Sequence, residues 1–519
     1  MVESMMTRSE FLRAAGAGAL GMAAGRAFAT PAAEAQSASR SPINVLMIMT
    51  DQHHWQALGA AGNPLIRSPN LDRLAREGAR FELATCPTPF CSPTRASIVT
   101  GLYPHTHGFV ANVKGGMPGL KKGMFPTTEN ILADHGWATH HRGKWHLGKT
   151  GELGCYETLS YSGSVDFNAR LKTELPASLF SDDEGDARLW GRPVYMTPAV
   201  AAGHRAYNAD TGNKPQQDVS IIGRTAVPFE LLPEAGIASD AEALVRENAG
   251  RPWMITASFS PPHACWVAPE LYYSLVDRSQ IRVPDNDSLP EWMRTSVSKR
   301  LGEYMGPDGI REYLAVYAGQ VAAMDTFIGR ILDALDDTNQ AERTLVVFVS
   351  DHGDMQGQHG AMDKTIPGFY DAILRVPLIL RLPGAIPSGL VVHEIAECVD
   401  LAPTILDYAE MEIPTEIHGR SLRPLLEGRA DSWREFAFCE RASGNQGGHR
   451  MIRSTRWKYA FFANGQHQLF DMLNDPLENE NLFGAPSHAS LANELHAELR
   501  RIVRDTNDSL IERIPETVA

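Results

Sequence analysis

The chain has 519 residues, 43% hydrophobic and 21% charged, an ordinary globular balance with enough apolar material for a large core. Its 62 acidic residues outweigh 48 basic ones, giving a formal net charge of −14. That balance argues against nucleic acid or an anionic membrane as the main partner, and leaves room for a locally positive site that takes a small anion.

Residues 1–36 read as an export signal, not as fold. Met6-Thr7-Arg8-Ser9-Glu10-Phe11-Leu12-Arg13 precedes an Ala/Gly-rich run from Ala14 to Gly25, and small-x-small sites follow at Ala27-Phe28-Ala29 and Ala33-Glu34-Ala35. A basic start, a short apolar middle and such sites predict a periplasmic or secreted protein. The apolar run is too short to span a bilayer, so no stable membrane anchor is expected. Arg8-x-x-Phe11-Leu12 is similar to a twin-arginine signal, with Ser9 standing at the second arginine.

Beyond Ser41, the run Ile43 to Met49 is apolar on both faces, which suits a buried parallel strand ending at Asp51. Thr128 to His135 reads as a short helix stopped by Gly136. Residues 150–245, with many Asp, Gly, Pro and Asn, read as long loops over the site that specify the substrate. Trp253 to Phe259 repeats the buried-strand pattern and leads to Pro262-His263. Trp266 follows, suited either to lining a pocket or to ordinary packing. Leu314, Tyr317, Val321, Met324, Ile328 and Leu332 form one stripe of an amphipathic helix. Thr344 to Ser350, ending at Asp351, and Val376 to Leu380 are two more buried strands of the same kind.

Strands alternating with helices predict an α/β fold with a large, mostly parallel sheet flanked by helices. Ligands there bind beyond the carboxyl ends of the strands, so Asp51, His263 and Asp351 are expected to converge. After Gly419-Arg420-Ser421-Leu422 the texture changes. Arg456 to Ala460 and Gln468 to Asp471 read as short antiparallel strands, and Leu491 to Val503 as an amphipathic helix. The expected organisation is a catalytic domain over 41–425 and a smaller C-terminal α+β subdomain with an antiparallel sheet over 426–519.

Two constellations carry chemistry. Asp51-Gln52 and Asp351-His352 each follow a buried strand, and two such carboxylates, each beside a second polar ligand candidate, invite a divalent cation. A single strand-end Asp more often caps a turn. The second constellation is cationic: Lys144 and His146 within Gly143-Lys144-Trp145-His146-Leu147-Gly148, with Arg95, His263 and Lys364. Fixed donors of this kind suit a tetrahedral oxyanion, although each residue alone fits a solvated or satisfied polar side chain. The six cysteines (Cys86, Cys91, Cys155, Cys265, Cys398 and Cys439) contain no CxxC pair, so neither a zinc finger nor a disulfide scaffold is expected.

Cys91-Ser92-Pro93-Thr94-Arg95, continued to Gly101, is followed by Leu102-Tyr103-Pro104-His105-Thr106-His107-Gly108 and the Gly143 to Gly148 segment. Pro261-Pro262-His263, Ser350-Asp351-His352-Gly353-Asp354, Gly357-Gln358-His359-Gly360, Lys364, Arg375-Val376-Pro377-Leu378, Asp400-Leu401-Ala402-Pro403-Thr404 and Asp475-Pro476 come later. This ordered set covers nearly the whole mature chain and resembles the type I sulfatases of the alkaline phosphatase-like superfamily. The resemblance implies a sulfuric ester hydrolase, arylsulfatase-like, acting on a small-molecule or carbohydrate sulfate ester. It implies that a formylglycine-generating enzyme oxidises Cys91 to 3-oxoalanine, whose hydrated diol attacks sulfur and passes through a sulfo-enzyme intermediate. By the same resemblance Asp51, Gln52, Asp351, His352 and residue 91 hold one divalent metal, while Arg95, Lys144 and Lys364 stabilise charge. His263 is implied as the acid that protonates the leaving alcohol, and His146 as the group that helps the diol expel sulfate.

Three positions depart from the family's common pattern: Thr94 replaces Ser, Gln52 replaces Asp and His352 replaces Asn. The last two lower the site's charge and add nitrogen, so Ca2+ is the first expectation with Mn2+ or Mg2+ behind it. Similar choices occur in the phosphonate monoester hydrolase branch. A phosphonate monoester or phosphodiester hydrolase using the same nucleophile is therefore the alternative.

Overall fold

The computed structural model describes residues 42–149, 151–160, 187–189, 192–212, 219–441 and 448–518. The export segment expected over residues 1–36 lies outside these, as does much of 161–218.

Among the described residues the principal sheet has eight strands. They are β1 (Asn44–Asp51), β2 (Ala79–Phe81), β3 (Ala138–Gly143), β4 (Thr158–Ser160), β5 (Trp253–Pro262), β6 (Thr344–Ser350), β7 (Leu378–Arg381) and β8 (Leu390–Val392). Their order is β8-β2-β7-β6-β1-β5-β3-β4. The run β6-β1-β5-β3-β4 is parallel throughout, with Leu46 of β1 opposite Val346 of β6 and Ile255 of β5. Side chains alternate between the faces as the pleat requires. Leu46, Ile48, Val346 and Phe348 join one core cluster, and Met47, Met49, Val347 and Val349 join another. Both faces are covered, which is why these strands are continuous apolar runs.

Two expectations are corrected. The run Val376 to Leu380 becomes a strand only from Leu378, and it pairs antiparallel with β6, Ile379 opposite Phe348. Apolarity on both faces reports burial and carries no sign of direction, and Pro377 has no N–H to give a ladder. Residues 150–245 are not all loop: Pro198–Thr211 and Pro233–Glu247 are regular helices. The second of these buries Ala238, Ala241 and Val245 in the core beneath the sheet.

The helices used below are α1 (Pro69–Glu77), α2 (Cys91–Thr100), α3 (Thr128–Asp134), α4 (Pro233–Glu247), α5 (Val297–Asp337) and α6 (Ala489–Asp505). The stripe from Leu314 to Leu332 lies on the second arm of α5, which is broken at Gly306 by a left-handed residue and the following Pro307. Its Met324, Phe327, Ile328 and Ile331 pack on the same face of the sheet as α4. Trp266 is fully buried with its ring 4.6 Å from that of Tyr313, so it packs.

The C-terminal sheet comprises β9 (Ala437–Arg441), β10 (His449–Arg453), β11 (Trp457–Phe461) and β12 (Gln468–Asp471), antiparallel and in chain order. One face (Phe438, Ile452, Tyr459, Leu469) packs on Leu495, Leu499 and Val503 of α6, and the other (Cys439, Met451, Ala460) joins the main core. No helix among the described residues is long and apolar enough to cross a membrane.

Candidate active site

The carboxyl ends of β1, β5 and β6 lie side by side, so Asp51, His263 and Asp351 arrive at one edge of the sheet. Helix α2 meets that edge with its N-terminus. Cys91 is its first residue and all ten of its residues are buried. Phe90 at the cap supplies no side-chain bond, and the first turn is tied down from outside it. Asn112 Oδ1 accepts from the Ser92 N–H at 3.0 Å, Ser92 Oγ donates to the His146 carbonyl at 2.5 Å, and Thr94 Oγ1 donates to the Thr88 carbonyl at 2.7 Å. The last bond shows what the hydroxyl of Thr94 does in the fold. Gly101, at φ 69, closes the helix in the left-handed region.

Arg95, one turn into α2, organises the carboxylates. Its Nε donates to Asp351 Oδ2 at 2.8 Å and its Nη2 to Asp51 Oδ2 at 3.3 Å. Its Nη1 donates to Ser258 Oγ at 2.8 Å and to the Lys144 carbonyl at 2.7 Å. Lys144 Nζ binds the same Asp51 Oδ2. Lys144 is aimed there because β3 ends at Gly143, whose φ of 85 and close approach to the Ser258 carbonyl exclude a Cβ.

Both Oδ2 atoms are thereby engaged, and both Oδ1 atoms face inward. Asp51 Oδ1 lies 3.6 Å from Cys91 Sγ and 3.6 Å from His352 Nε2. His352 Nε2 lies 3.2 Å from Cys91 Sγ and 3.7 Å from Asp351 Oδ1, while its Nδ1 faces the Gly353 carbonyl at 2.9 Å. Four buried donor atoms, from Asp51, Cys91, Asp351 and His352, therefore fall within 4.8 Å of one another. Two oxygens, an imidazole nitrogen and the atom position at residue 91 suit a divalent cation of hard to borderline character, so the residues present fit a metal.

Gln52 stands beside this group in a left-handed backbone conformation, φ 63. Its amide nitrogen donates to Asp354 Oδ2 at 2.5 Å and to Asp363 Oδ1 at 2.9 Å, which fixes the amide's orientation. Its Oε1 accepts from Lys364 Nζ at 2.7 Å. Tyr317 OH donates to its carbonyl at 2.5 Å, and Tyr313 OH donates to Asp354. Lys364 Nζ is also 2.5 Å from His263 Nε2, whose own distance to Asp51 Oδ1 is 3.8 Å. His263 Nδ1 is 2.6 Å from the Ala264 carbonyl. His146 touches α2 through its backbone, and its Nδ1 is buried without a hydrogen-bond partner.

The electrostatics follow from burial and proximity. Burial alone would raise the Asp51 carboxyl, but Lys144, His263, Arg95 and His352 together hold it well below the usual carboxylate range. Burial and Asp51 push the Cys91 thiol up, yet Lys144, Lys364 and His352 bring it well below the ordinary thiol value. The Asp351 carboxyl is raised by burial and by Asp51 against the pull of Arg95. Burial lowers His352 and Lys364, and their anionic neighbours, Asp351 and the Cys91 thiolate first among them, raise both.

The structure thus gathers Asp51, Gln52, Cys91, Arg95, Lys144, His263, Asp351, His352 and Lys364, and sets the backbone of His146 against α2. Sequence reasoning passed over Asn112, Ser258, Asp354, Asp363, Tyr313 and Tyr317. Asp354 stood inside a segment already singled out, two residues beyond His352; the others carry no local signal.

Fold and site together define a hydrolase of the alkaline phosphatase-like kind. A model of the sulfatase family matches residues 43–411, and one described as N-sulphoglucosamine sulphohydrolase, C-terminal, matches residues 357–505. The chain is 30% identical over 462 residues to an arylsulfatase of Clostridium perfringens, covering 86% of this chain and 91% of that one. A structure solved in complex with its substrate D-glucosamine-2-N,6-O-disulfate aligns at a TM-score of 0.68 and 23% identity, over 90% of this chain and 99% of that one. A phosphonate monoester hydrolase from Silicibacter pomeroyi aligns at 0.69 and 26% identity, over 92% and 96%. The chain belongs to the sulfatase family and hydrolyses sulfate esters.

Proposed function

We propose that this sulfatase works with residue 91 as formylglycine and with one divalent cation held by Asp51, Asp351, His352 and residue 91; Gln52, expected as a fifth ligand, turns its amide to Lys364, Asp354 and Asp363. The observation that carries this reading is the convergence of Asp51 Oδ1, Asp351 Oδ1, His352 Nε2 and the residue 91 side chain, with both Oδ2 atoms engaged elsewhere. A bound cation, Ca2+ first and Mn2+ or Mg2+ next, supplies Lewis acidity and balances two buried carboxylates. A hydrated aldehyde supplies one hydroxyl to attack sulfur and a second through which sulfate is expelled.

The chain's own residues then have separable tasks. Arg95 orients both carboxylates through their Oδ2 atoms. Lys144 and Lys364 place two buried ammonium groups around residue 91, where they stabilise sulfate oxygens as charge shifts in the transition state. His263 holds Nδ1–H against the Ala264 carbonyl and turns Nε2 inward beside Lys364 Nζ; as the imidazolium, carrying a proton on both nitrogens, it gives the Nε2 proton to the departing alcohol and is left neutral. Asp354 and Asp363 hold the Gln52 amide so that its oxygen faces Lys364. His146, with an unpartnered Nδ1, is the base for the second hydroxyl. The segment at 1–36 supports export to the periplasm or beyond.

Peptide mass around residue 91 reports conversion, and release of sulfate from 4-nitrophenyl sulfate reports activity. Converted protein is expected to turn over this ester and to lose activity on chelation, with recovery on adding back a divalent cation. Activity that survives complete chelation would sink the metal assignment. The imidazole of His352 and the neutral amide of Gln52 beside it, together with the phosphonate hydrolase likeness, favour a second reading, a phosphonate monoester hydrolase. Matched sulfate and phosphonate monoesters decide between them by kcat/KM.

A further inference from the structure

A second feature lies directly beside this site. The loop Val113–Gly119 faces His146, Gly148, Lys149 and Glu152 across an open cleft of about 510 Å³, a size suited to a small-molecule ligand. Three lysines line it, Lys114, Lys121 and Lys149, against a single carboxylate, Glu152, which lies 3.8 Å from Lys121. On a chain of net charge −14 this is a local reversal of sign. Met117 in the same wall is 49% exposed, so the cleft also offers apolar surface.

The cleft adjoins the residue 91 site through Ser92 and His146. Ser92, next to Cys91, donates to the His146 carbonyl and accepts from the Val113 N–H at 3.0 Å, and both partners line the cleft. His146, with its buried and unpartnered Nδ1, stands between the two. The walls are preformed. Leu120 N–H donates to the Leu147 carbonyl at 2.8 Å, and Gly119 packs against Gly148 with no room for a Cβ on either. Beneath them Leu120, Trp145, Leu147 and Leu153 share a core cluster with Ala96 and Val99 of α2. A cleft braced on the nucleophile's own helix keeps its position relative to residue 91.

We infer that this cleft binds a second anionic group of the substrate, so that the preferred substrate is a sulfate ester whose alcohol carries a further sulfate or carboxylate. The inference rests on the sulfate ester hydrolase reading of the adjoining site. One sulfate occupies the ester site, the body of the alcohol crosses His146 and Met117, and the second anion meets Lys114, Lys121 and Lys149. Charge-assisted bonds to three flexible ammonium groups accept either anion without fixing its orientation.

The test uses a binding arm that needs no turnover. Sucrose octasulfate serves as the polyanionic probe, titrated calorimetrically into the full chain and into K114A/K121A/K149A, and 4-nitrophenyl sulfate serves as an ester with no second anion. The triple variant is expected to bind sucrose octasulfate about tenfold or more weakly, with the loss shrinking as salt rises, while its kcat/KM for 4-nitrophenyl sulfate stays within about twofold. Equal binding of the probe by both proteins overturns the inference, as does no binding by either. A parallel fall in 4-nitrophenyl sulfate turnover also overturns it, because the lysines would then serve the ester site. Absence of turnover by converted protein with either lysine set counts against the sulfatase reading instead, and leaves the binding result to stand or fall separately.

Discussion

Among the described residues, two clusters bring acids and imidazoles close enough to hold a cation, and they differ in what completes them. In one, Asp51, Asp351, His352 and Cys91 converge at the strand ends. In the other, His105, Glu440 and Asp508 meet where the chain beyond α2 touches the C-terminal sheet. The second is closed by the chain itself. Arg450 Nε donates to Asp508 Oδ2 at 2.5 Å and lies 3.4 Å from Glu440. His105 binds Glu440 through both its N–H and Nδ1, its Nε2 faces the Thr506 carbonyl, and Asp508 Oδ1 accepts from the Leu510 N–H. In the first, Arg95 and Lys144 hold the Oδ2 atoms; on the inner face Asp351 Oδ1 accepts from the Gln52 N–H at 3.2 Å, while Asp51 Oδ1 has only contacts of 3.6 Å or longer. A buried charge cluster with every acceptor engaged is structural; one whose inner face is left over marks chemistry.

The largest difference between the two clusters is expected at residue 91. Cys91→Ala is expected to lower turnover by at least about 10⁴-fold. It moves the denaturation midpoint little, because only a small buried group is lost. Near wild-type turnover would remove residue 91 from the mechanism. The reverse pattern is expected in the closed cluster. Arg450→Met leaves Glu440 and Asp508 buried beside His105 alone, at a cost of about 3–5 kcal/mol. Urea unfolding reads that loss directly; an unchanged midpoint would mean that the clamp contributes nothing.

The smallest effect is a pH window. Burial lowers the His105 imidazole, but the hydrogen bond and charge of Glu440, with Asp508 behind, raise it above 6.5. Its contribution is full below 6.5 and is lost as pH rises through the raised folded value. Asp508 works the other way. Burial raises it, Arg450 more than offsets this, and it falls below 3.8, so its contribution is present above that pH and lost as pH falls through the lowered value. The clamp is therefore strongest between these limits. His105→Gln is expected to flatten stability against pH above 6.5 while leaving the acid limb in place. If the upper limb persists in the variant, another group owns it.

The strands that carry the site were legible because they are buried on both faces, and a solid run such as Leu345-Val346-Val347-Phe348-Val349 has few other homes. Strand β3, Ala138-Thr139-His140-His141-Arg142-Gly143, was missed because its buried residues are polar and take their partners from distant segments. One of these is Asp240, which receives Arg142 Nε at 3.1 Å. Direction was illegible in β7 for the reason already given. In the candidate site, most of the residues that converge were legible because they sit at strand ends or in motifs. Asp354 and Asp363 were not, because a carboxylate that steadies a glutamine amide looks in sequence like any other Asp. Their role exists only once the fold brings segments more than 300 residues apart to Gln52.

Cys91 is wholly enclosed, with no exposed surface, at the head of a helix buried along its full length. A maturation enzyme of the kind proposed above would need the thiol and its neighbours in its own cleft, and in the folded chain Cys91 to Arg95 are all buried. On that reading, conversion of residue 91 would precede the docking of α2. The enzyme and the folding pathway would then compete for the same stretch of chain, and a molecule that folded first would keep its thiol.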